Sequence, residues 1–338
     1  MPTPTIAVIG AGAWGTTLAA LLAKKGLPVT LWVREPDLVE IIRATRENTR
    51  FLPGVALPAE LTVTAEMAQA VEHASLLTLA VPSRWMRAVC RELATYLPTP
   101  APPIVSVTKG LEIETGQRMS EVIRAEMRTI PAVAALSGPN LAPEIARGLL
   151  AATTIASEDH ALTTYAQEAF QTSYFRPYTG TDIIGVEICG AVKNVIAIAA
   201  GMCEGLGYGD NANAALLTRA MAEIGRLVQR LGGRPETVAG LSGIGDLIAT
   251  CISPISRNHR VGLVVGRGAQ YGSALGDSGQ VAEGVPTTEA VVRLARRLPV
   301  ELPICEQVAA ILFDGRPAEE AVRLLMARER RSEEFIKA

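Results

Sequence analysis

The chain has 338 residues, 49% of them hydrophobic, and a formal charge of −2, which is length enough for two domains that each bury a core. A near-neutral balance excludes recognition of nucleic acid or an anionic membrane through a broad basic patch. The densest basic cluster, Arg328 to Arg331, is followed at once by Glu333 and Glu334 and reads as a solvated helix end.

From Thr5 to about Thr179, short apolar runs alternate with helical patterns. TIAVIG, PVTLWV, Leu61 to Thr64, LLTLAVP, IVSVTKG, AVAALSG, AATTIAS and YFRPYT are the strand candidates. Continuous apolar strands separated by helices predict a Rossmann-like, doubly wound α/β domain with a mostly parallel sheet, placed at residues 1–180. Glu47 to Leu61, with its prolines, reads as an excursion loop.

Beyond about Gly180 the strand pattern stops, and an all-helical domain is expected over 181–338. In NANAALLTRAMAEIGRLVQRLGG, apolar residues recur at steps of three and four from Leu217 to Leu231, and Gly232-Gly233 supplies the stop. A glycine-rich interval, Gly262 to Gly284, is expected to separate this part from two last helices, Thr287 to Arg297 and Pro317 to Arg331. The longest charge-free apolar run falls well short of the ~20 residues a membrane helix needs, and the N-terminus enters a strand almost at once. A soluble, cytoplasmic protein without stable membrane insertion is the expectation. Five widely spaced cysteines without a C-x-x-C pair fit reduced thiols. His73, His160 and His259 lie far from one another and from any paired cysteines, so no metal is expected.

GAGAWG, Gly10 to Gly15, follows the first strand and opens a helix that stops near Gly26. In this setting Gly10 permits the tight turn, Gly12 lets backbone approach a pyrophosphate, and Gly15 lets helix and strand pack closely. The helix N-terminus then offers N–H groups to the phosphates. At the end of the second strand an NAD site usually has an acidic residue for the ribose 2′-OH, whereas LWVREP places Arg34 there. An arginine pairs with a 2′-phosphate, so NADP(H) is preferred; Glu35 next door keeps NAD(H) admissible.

Hydride transfer at an alcohol carbon needs a group that takes or returns the hydroxyl proton. His73 and His160 sit in polar stretches and only His259 has an interesting context, which leaves lysine. Lys193 and Asn194 interrupt the otherwise apolar run GVEICGAVKNVIAIAAG, and Lys193 shares a helix face with Gly190 and Ala197. Lys109 follows a predicted strand in VSVTKG, at the sheet edge where open α/β folds bind ligands. Convergence of the two amines would lower the pKa of each. The structural alternatives are a core lysine paired with a carboxylate and a solvated loop lysine. Asp246, in SGIGDLIATC, is a candidate to orient Lys193, with a cap or salt-bridge partner as its alternative. Ser256, Arg257 and Asn258 precede the apolar run VGLVVG and suit an oxyanion, which points to a phosphorylated substrate; an unliganded capping segment would look similar.

With GAGAWG, LWVRE, VSVTKGLEIETG, LSGPN, GVEICGAVKNVIAIAAGMCEGLGYGDNA, LSGIGDLIATCISPISRN and GQVAEGVPTTEAV in order, the chain resembles NAD(P)-dependent glycerol-3-phosphate dehydrogenases of the bacterial type over nearly its whole length. The resemblance implies reduction of dihydroxyacetone phosphate by NAD(P)H to sn-glycerol 3-phosphate, a phospholipid precursor, in the cytoplasm, with a homodimer as the family expectation. It makes Lys193 the proton donor and acceptor, with Lys109 and Asp246 beside it. The implied substrate set is Lys109, Gly138, Asn140, Lys193, Asn194, Asp246, Ser256, Arg257 and Asn258. The implied cofactor set adds Trp14, Ala142, Val281 and Glu283 to Gly10, Gly12, Gly15, Arg34, Lys109 and Arg257. The chain departs from the family pattern at Asn140, Leu141 and Pro143, where Ser, Phe and Lys are more usual, and at Asn213, where a basic residue is usual. The rival readings are another lysine-base dehydrogenase, such as a β-hydroxyacid or ketopantoate type that acts on carboxylates, and a non-catalytic dinucleotide sensor.

Overall fold

The structure, a computed structural model, describes residues 3–269 and 282–329. The chain divides into two compact units, Met1–Thr108 with Met119–Ile183, and Lys109–Arg118 with Ile184–Ala338. This differs from a single cut after residue 180. The ten residues from Lys109 carry Leu111 and Ile113, which belong to the core of the helical unit.

In the first unit all eight apolar runs form strands: β1 Ile6–Ile9, β2 Val29–Trp32, β3 Thr62–Thr64, β4 Leu76–Leu79, β5 Ile104–Ser106, β6 Val133–Ser137, β7 Ala151–Ala156 and β8 Phe175–Gly180. They make one sheet in the order β3-β2-β1-β4-β5-β6-β7-β8. Every neighbouring pair is parallel except β6 with β7. Successive residues face opposite sides of a strand, so Ile6 and Val8 enter one core while Ala7 and Ile9 enter another. The first core is closed by α1 (Ala13–Lys24), α2 (Pro36–Thr45) and α7 (His160–Phe170). The second is closed by α3 (Met67–Val71), α4 (Met86–Leu93) and α5 (Met119–Glu126). Burial on both faces is why the central strands β1, β4, β5 and β6 read as nearly continuous apolar runs. The strand order reverses between β1 and β4, where open sheets of this kind bind ligands.

The helical unit is built on α8, Ile183–Gly205, and α9, Asp210–Arg230. In length and mean hydropathy α8 would pass for a membrane span, yet 94% of its most apolar window is buried inside the protein. It is a core helix. Against it packs α11, Arg257–Gly266, and glycine sets the distance. A Cβ on Gly262 would sit on the Ile198 carbonyl oxygen, and one on Gly201 would sit on the His259 carbonyl oxygen. Gly262 and Gly266 therefore belong to a close helix crossing, not to a spacer as their density in the sequence suggests. Of the last helices, Gly284–Arg297 begins three residues earlier than expected and Ala318–Met326 lies within the expected span. Between them stands Pro303–Phe313, which the sequence reading missed. Its sequence PICEQVAAILF is apolar almost throughout, so it presents no stripe for a helical period to reveal.

Candidate active site

Lys193 lies in the middle of α8, 6% exposed, between Val192 and Asn194. Burial in such company demands partners for the ammonium, and α10, Asp246–Ile252, supplies them. The Lys193 Nζ lies 3.0 Å from Asp246 Oδ1 and donates to Thr250 Oγ1 at 2.7 Å. Thr250 in turn donates to Asp246 Oδ1 at 3.1 Å. Asp246 and Thr250 are four residues apart on one helix, so both reach the same side. Among the described residues these two partners take two of the three Lys193 protons, which leaves one N–H for a ligand oxygen.

A second amine meets the same carboxylate, since Lys109 Nζ donates to Asp246 Oδ2 at 2.6 Å. Burial lowers the Lys109 pKa to about 8; Asp246 raises it, and the Lys193 charge lowers it again. Burial pushes the Asp246 carboxyl up, but the two ammonium charges and their hydrogen bonds outweigh it and hold the group below the usual carboxylate value. Asp246 opens α10, and its own N–H donates back to the carbonyls of Leu241 and Gly243. The turn before it, Leu241–Gly245, bends sharply at Gly243, where a Cβ would sit on the Val238 carbonyl oxygen. Cys251 is adjacent, but burial pushes its thiol up to about 12, so it stays protonated and is no nucleophile.

The remaining substrate candidates in this unit form a second network. Asn258 donates through Nδ2 to Asn194 Oδ1 at 2.8 Å and accepts at Oδ1 from the Gly284 N–H at 2.9 Å. Ser256 caps α11 by accepting from the His259 N–H at 3.3 Å. Arg257, the first residue of that helix, is exposed. Glu283 precedes the helix Gly284–Arg297, and Val281 lies outside the described residues. His259 is 6% exposed with Nε2 3.0 Å from Glu204, a structural placement at some remove in sequence from the amine pair.

In the sheet unit the fingerprint has the geometry of a phosphate cradle. Gly10 adopts φ +112°, and a Cβ there would meet the Ala80 carbonyl oxygen at 2.7 Å. A Cβ on Gly15 would sit on the Gly10 carbonyl oxygen. Gly12, by contrast, has open space above it, and no side chain caps α1. The exposed N–H groups of that helix therefore fit a dinucleotide pyrophosphate. Trp14 packs edge-on to Phe175 at 6.2 Å, and its buried indole N–H has no hydrogen-bond partner among the described residues. Ala142 opens the short helix Ala142–Ala146 and accepts at its carbonyl from Thr17 Oγ1 at 3.3 Å. A Cβ on Gly138 would press on Thr153 Cα at 2.9 Å. Asn140 donates to Thr153 Oγ1 at 3.1 Å and keeps a buried Oδ1 that has no hydrogen-bond partner among the described residues. Arg34 is 63% exposed in its side chain, and both its Nε and Nη2 donate to Glu35 Oε1.

Of the residues singled out from the sequence, Lys109, Lys193 and Asp246 meet directly, and Asn194 and Asn258 meet each other. Thr250 was missed. Its only signal was the spacing of four from Asp246.

Two family models match this chain, the N-terminal segment of NAD-dependent glycerol-3-phosphate dehydrogenase over residues 5–163 and its C-terminal segment over 182–323. A glycerol-3-phosphate dehydrogenase [NAD(P)+] of Geobacter sp. (strain M21) is 48% identical over 330 residues, covering 97% of this chain and 98% of the relative. The one from Moorella thermoacetica is 47% identical over 329 residues, 97% of each. Among solved structures, the crystal structure of glycerol-3-phosphate dehydrogenase from Coxiella burnetii superposes with a TM-score of 0.93 at 38% identity, covering 96% of this chain and 99% of that one. With both segments matched and relatives near half identical from end to end, the chain belongs to the NAD-dependent glycerol-3-phosphate dehydrogenase family.

Proposed function

We infer that the protein is an oxidoreductase that interconverts dihydroxyacetone phosphate and sn-glycerol 3-phosphate with NAD(P)H, and so supplies glycerol phosphate for phospholipid synthesis. The observation that carries this is the convergence of Lys193 and Lys109 on one buried carboxylate, Asp246, in a chain matched to the family over both segments.

The bound dinucleotide supplies the hydride. In the reducing direction the Lys193 ammonium points its remaining N–H at the carbonyl oxygen of the substrate and gives up that proton as the oxygen becomes an alkoxide. In the oxidising direction the neutral amine takes the hydroxyl proton. Asp246 and Thr250 fix the Lys193 Nζ, so the amine need not reorganise during the step. Lys109 brings a second positive charge to the same carboxylate, suited to stabilise charge that develops on the substrate oxygen.

Gly138, Asn140, Asn194, Ser256, Arg257 and Asn258 complete the proposed substrate set, with Arg257 as the proposed partner of the phosphate. Gly10, Gly12, Trp14, Gly15, Arg34, Lys109, Ala142, Arg257, Val281 and Glu283 form the proposed cofactor set. The finer cofactor reading is a preference for NADP(H), supported by Arg34 at the end of β2; Glu35, its ion-pair partner, can accept from a 2′-OH and so admits NAD(H). A homodimer and a cytoplasmic setting accompany this reading, and light scattering on the purified chain tests the first.

The test of the function is NADPH oxidation with dihydroxyacetone phosphate against unphosphorylated dihydroxyacetone. A kcat/KM ratio of at least ~100 in favour of the phosphorylated compound is expected, since losing a paired dianion costs several kcal/mol. Equal rates would overturn the substrate assignment.

A further inference from the structure

The stretch Lys109–Arg118 carries one amine of the proposed site and, nine residues on, an arginine that neither fingerprint nor family motif accounts for. The segment is a short hairpin. Leu111 bridges Arg118 in antiparallel register, the Glu112 N–H donates to the Gln117 carbonyl at 3.0 Å, and the Gly116 N–H donates to the Glu112 carbonyl at 2.8 Å. A hairpin of this size does not hold one position by itself, so whatever fixes it also fixes the reach of Lys109.

Three contacts within the helical unit do so. Leu111, 1% exposed, sits in the core of that unit. The hairpin turns at Gly116, φ +73°, so close to the helix Gly284–Arg297 that a Cβ would meet Leu294 Cδ1 at 3.2 Å. At the base, Arg118 Nη1 lies 2.6 Å from Glu187 Oε2, with side chains 12% and 4% exposed. Glu187 belongs to α8, six residues before Lys193. The Glu114–Arg293 contact at 4.0 Å is exposed on both sides and adds little.

The base contact bears most directly on Lys109. Arg118 stands across the bridge from Leu111, and Leu111 is two residues from Lys109, so a displacement at Arg118 passes straight to the amine. Lys109 also needs restraint, because burial and the neighbouring Lys193 charge both oppose an ammonium there, while Asp246 favours it. We propose that Arg118 and Glu187 are positioning residues: their buried ion pair clamps the hairpin to the helix that carries Lys193 and thereby holds the Lys109 amine on Asp246. The functional consequence rests on the dehydrogenase reading above.

The test uses the full chain with Arg118→Met and Glu187→Leu combined, since replacing both members by apolar groups leaves no unpaired buried charge. Acylation of individual lysines with acetic anhydride across pH, read by peptide mass, reports each amine without requiring turnover. In the parent protein Lys109 is expected to react with a midpoint of about 8. In the double variant the released amine moves off Asp246 into solvent, and its midpoint rises by about one unit or more toward that of an ordinary lysine. The KM for dihydroxyacetone phosphate rises about tenfold, with a smaller change in kcat. An unchanged Lys109 profile in the folded variant overturns the proposal. If the double variant does not fold, Glu187→Gln decides: a smaller shift at Lys109 supports the clamp, and no shift removes it. Absent activity toward dihydroxyacetone phosphate in the parent protein would count against the function and leave the labelling result to judge the clamp.

Discussion

At the scale of single residues, the Lys193 amine is placed by atoms that leave it one donor to spend. Removing the side chain should leave the fingerprint at α1 intact, because Lys193 belongs to the helical unit and the fingerprint folds within the sheet unit. Lys193→Ala is therefore expected to bind NADPH as the parent does in a fluorescence titration while kcat falls ~10²–10⁴-fold, the usual worth of a positioned acid–base group. Turnover within a few-fold of the parent would remove Lys193 from the mechanism. Arg34 poses a different question, since its guanidinium is already taken up by Glu35. Both are exposed enough that the pair is weak, so a 2′-phosphate can draw the guanidinium away. Arg34→Asp replaces the cation with two carboxylates side by side, and the ratio of kcat/KM for NADPH over NADH should fall at least ~10-fold. An unaltered ratio would show that the selectivity lies elsewhere.

At the scale of elements, the central strands were legible as apolar runs too short for a helix and bounded by turn residues, whereas the edge strand β8, FRPYTG, alternates buried and exposed positions over its first four residues. The glycine fingerprint was legible for the same local reasons. What stayed hidden depended on distance along the chain. Asp246 binds Lys109 across 137 residues and Thr250 meets Lys193 across 57, and no local pattern records either contact. The helix Pro303–Phe313 escaped for lack of polar punctuation, and its cap comes from elsewhere too. Glu223, on α9 and 2% exposed, accepts from the Ile304 N–H at 2.7 Å and the Cys305 N–H at 3.4 Å. Burial raises its pKa from 4.5 to about 7, against the two backbone donors and the Arg226 charge, while Glu306 adds to the rise. A folded pKa above the unfolded one means that the folded state binds the extra proton. The stabilisation is complete below about 4.5 and is lost as pH climbs through about 7. Glu223→Gln keeps an acceptor for Ile304 without the charge. Relative to the parent, its unfolding free energy should gain roughly 1–3 kcal/mol between pH 4.5 and 8, at ~1.4 kcal/mol per pKa unit. Urea titrations at the two pH values measure it, and a pH-independent difference would place the carboxyl pKa near its ordinary value.

At the scale of the whole molecule, the chain enters the helical unit at Lys109, leaves it after Arg118, and returns for good at Ile184. A boundary drawn once, near residue 180, therefore removes from the helical unit a piece of its own core. An isolated 184–338 chain would lack Leu111 and Ile113 from its apolar cluster, the Lys109 partner of Asp246, and the Arg118 partner of Glu187. Losing one side of a buried ion pair typically costs ~3–5 kcal/mol, and a domain has only ~5–15 kcal/mol in all. The fragment is expected to melt broadly, without a cooperative transition by near-ultraviolet circular dichroism. Joining residues 109–118 to its N-terminus through a flexible glycine-serine linker returns the missing apolar and charged partners at high effective concentration, and a single cooperative transition should reappear. Equal melting of the two fragments would mean that the hairpin only rests on the helical unit, and its two buried ion pairs would then contribute nothing to that unit's stability.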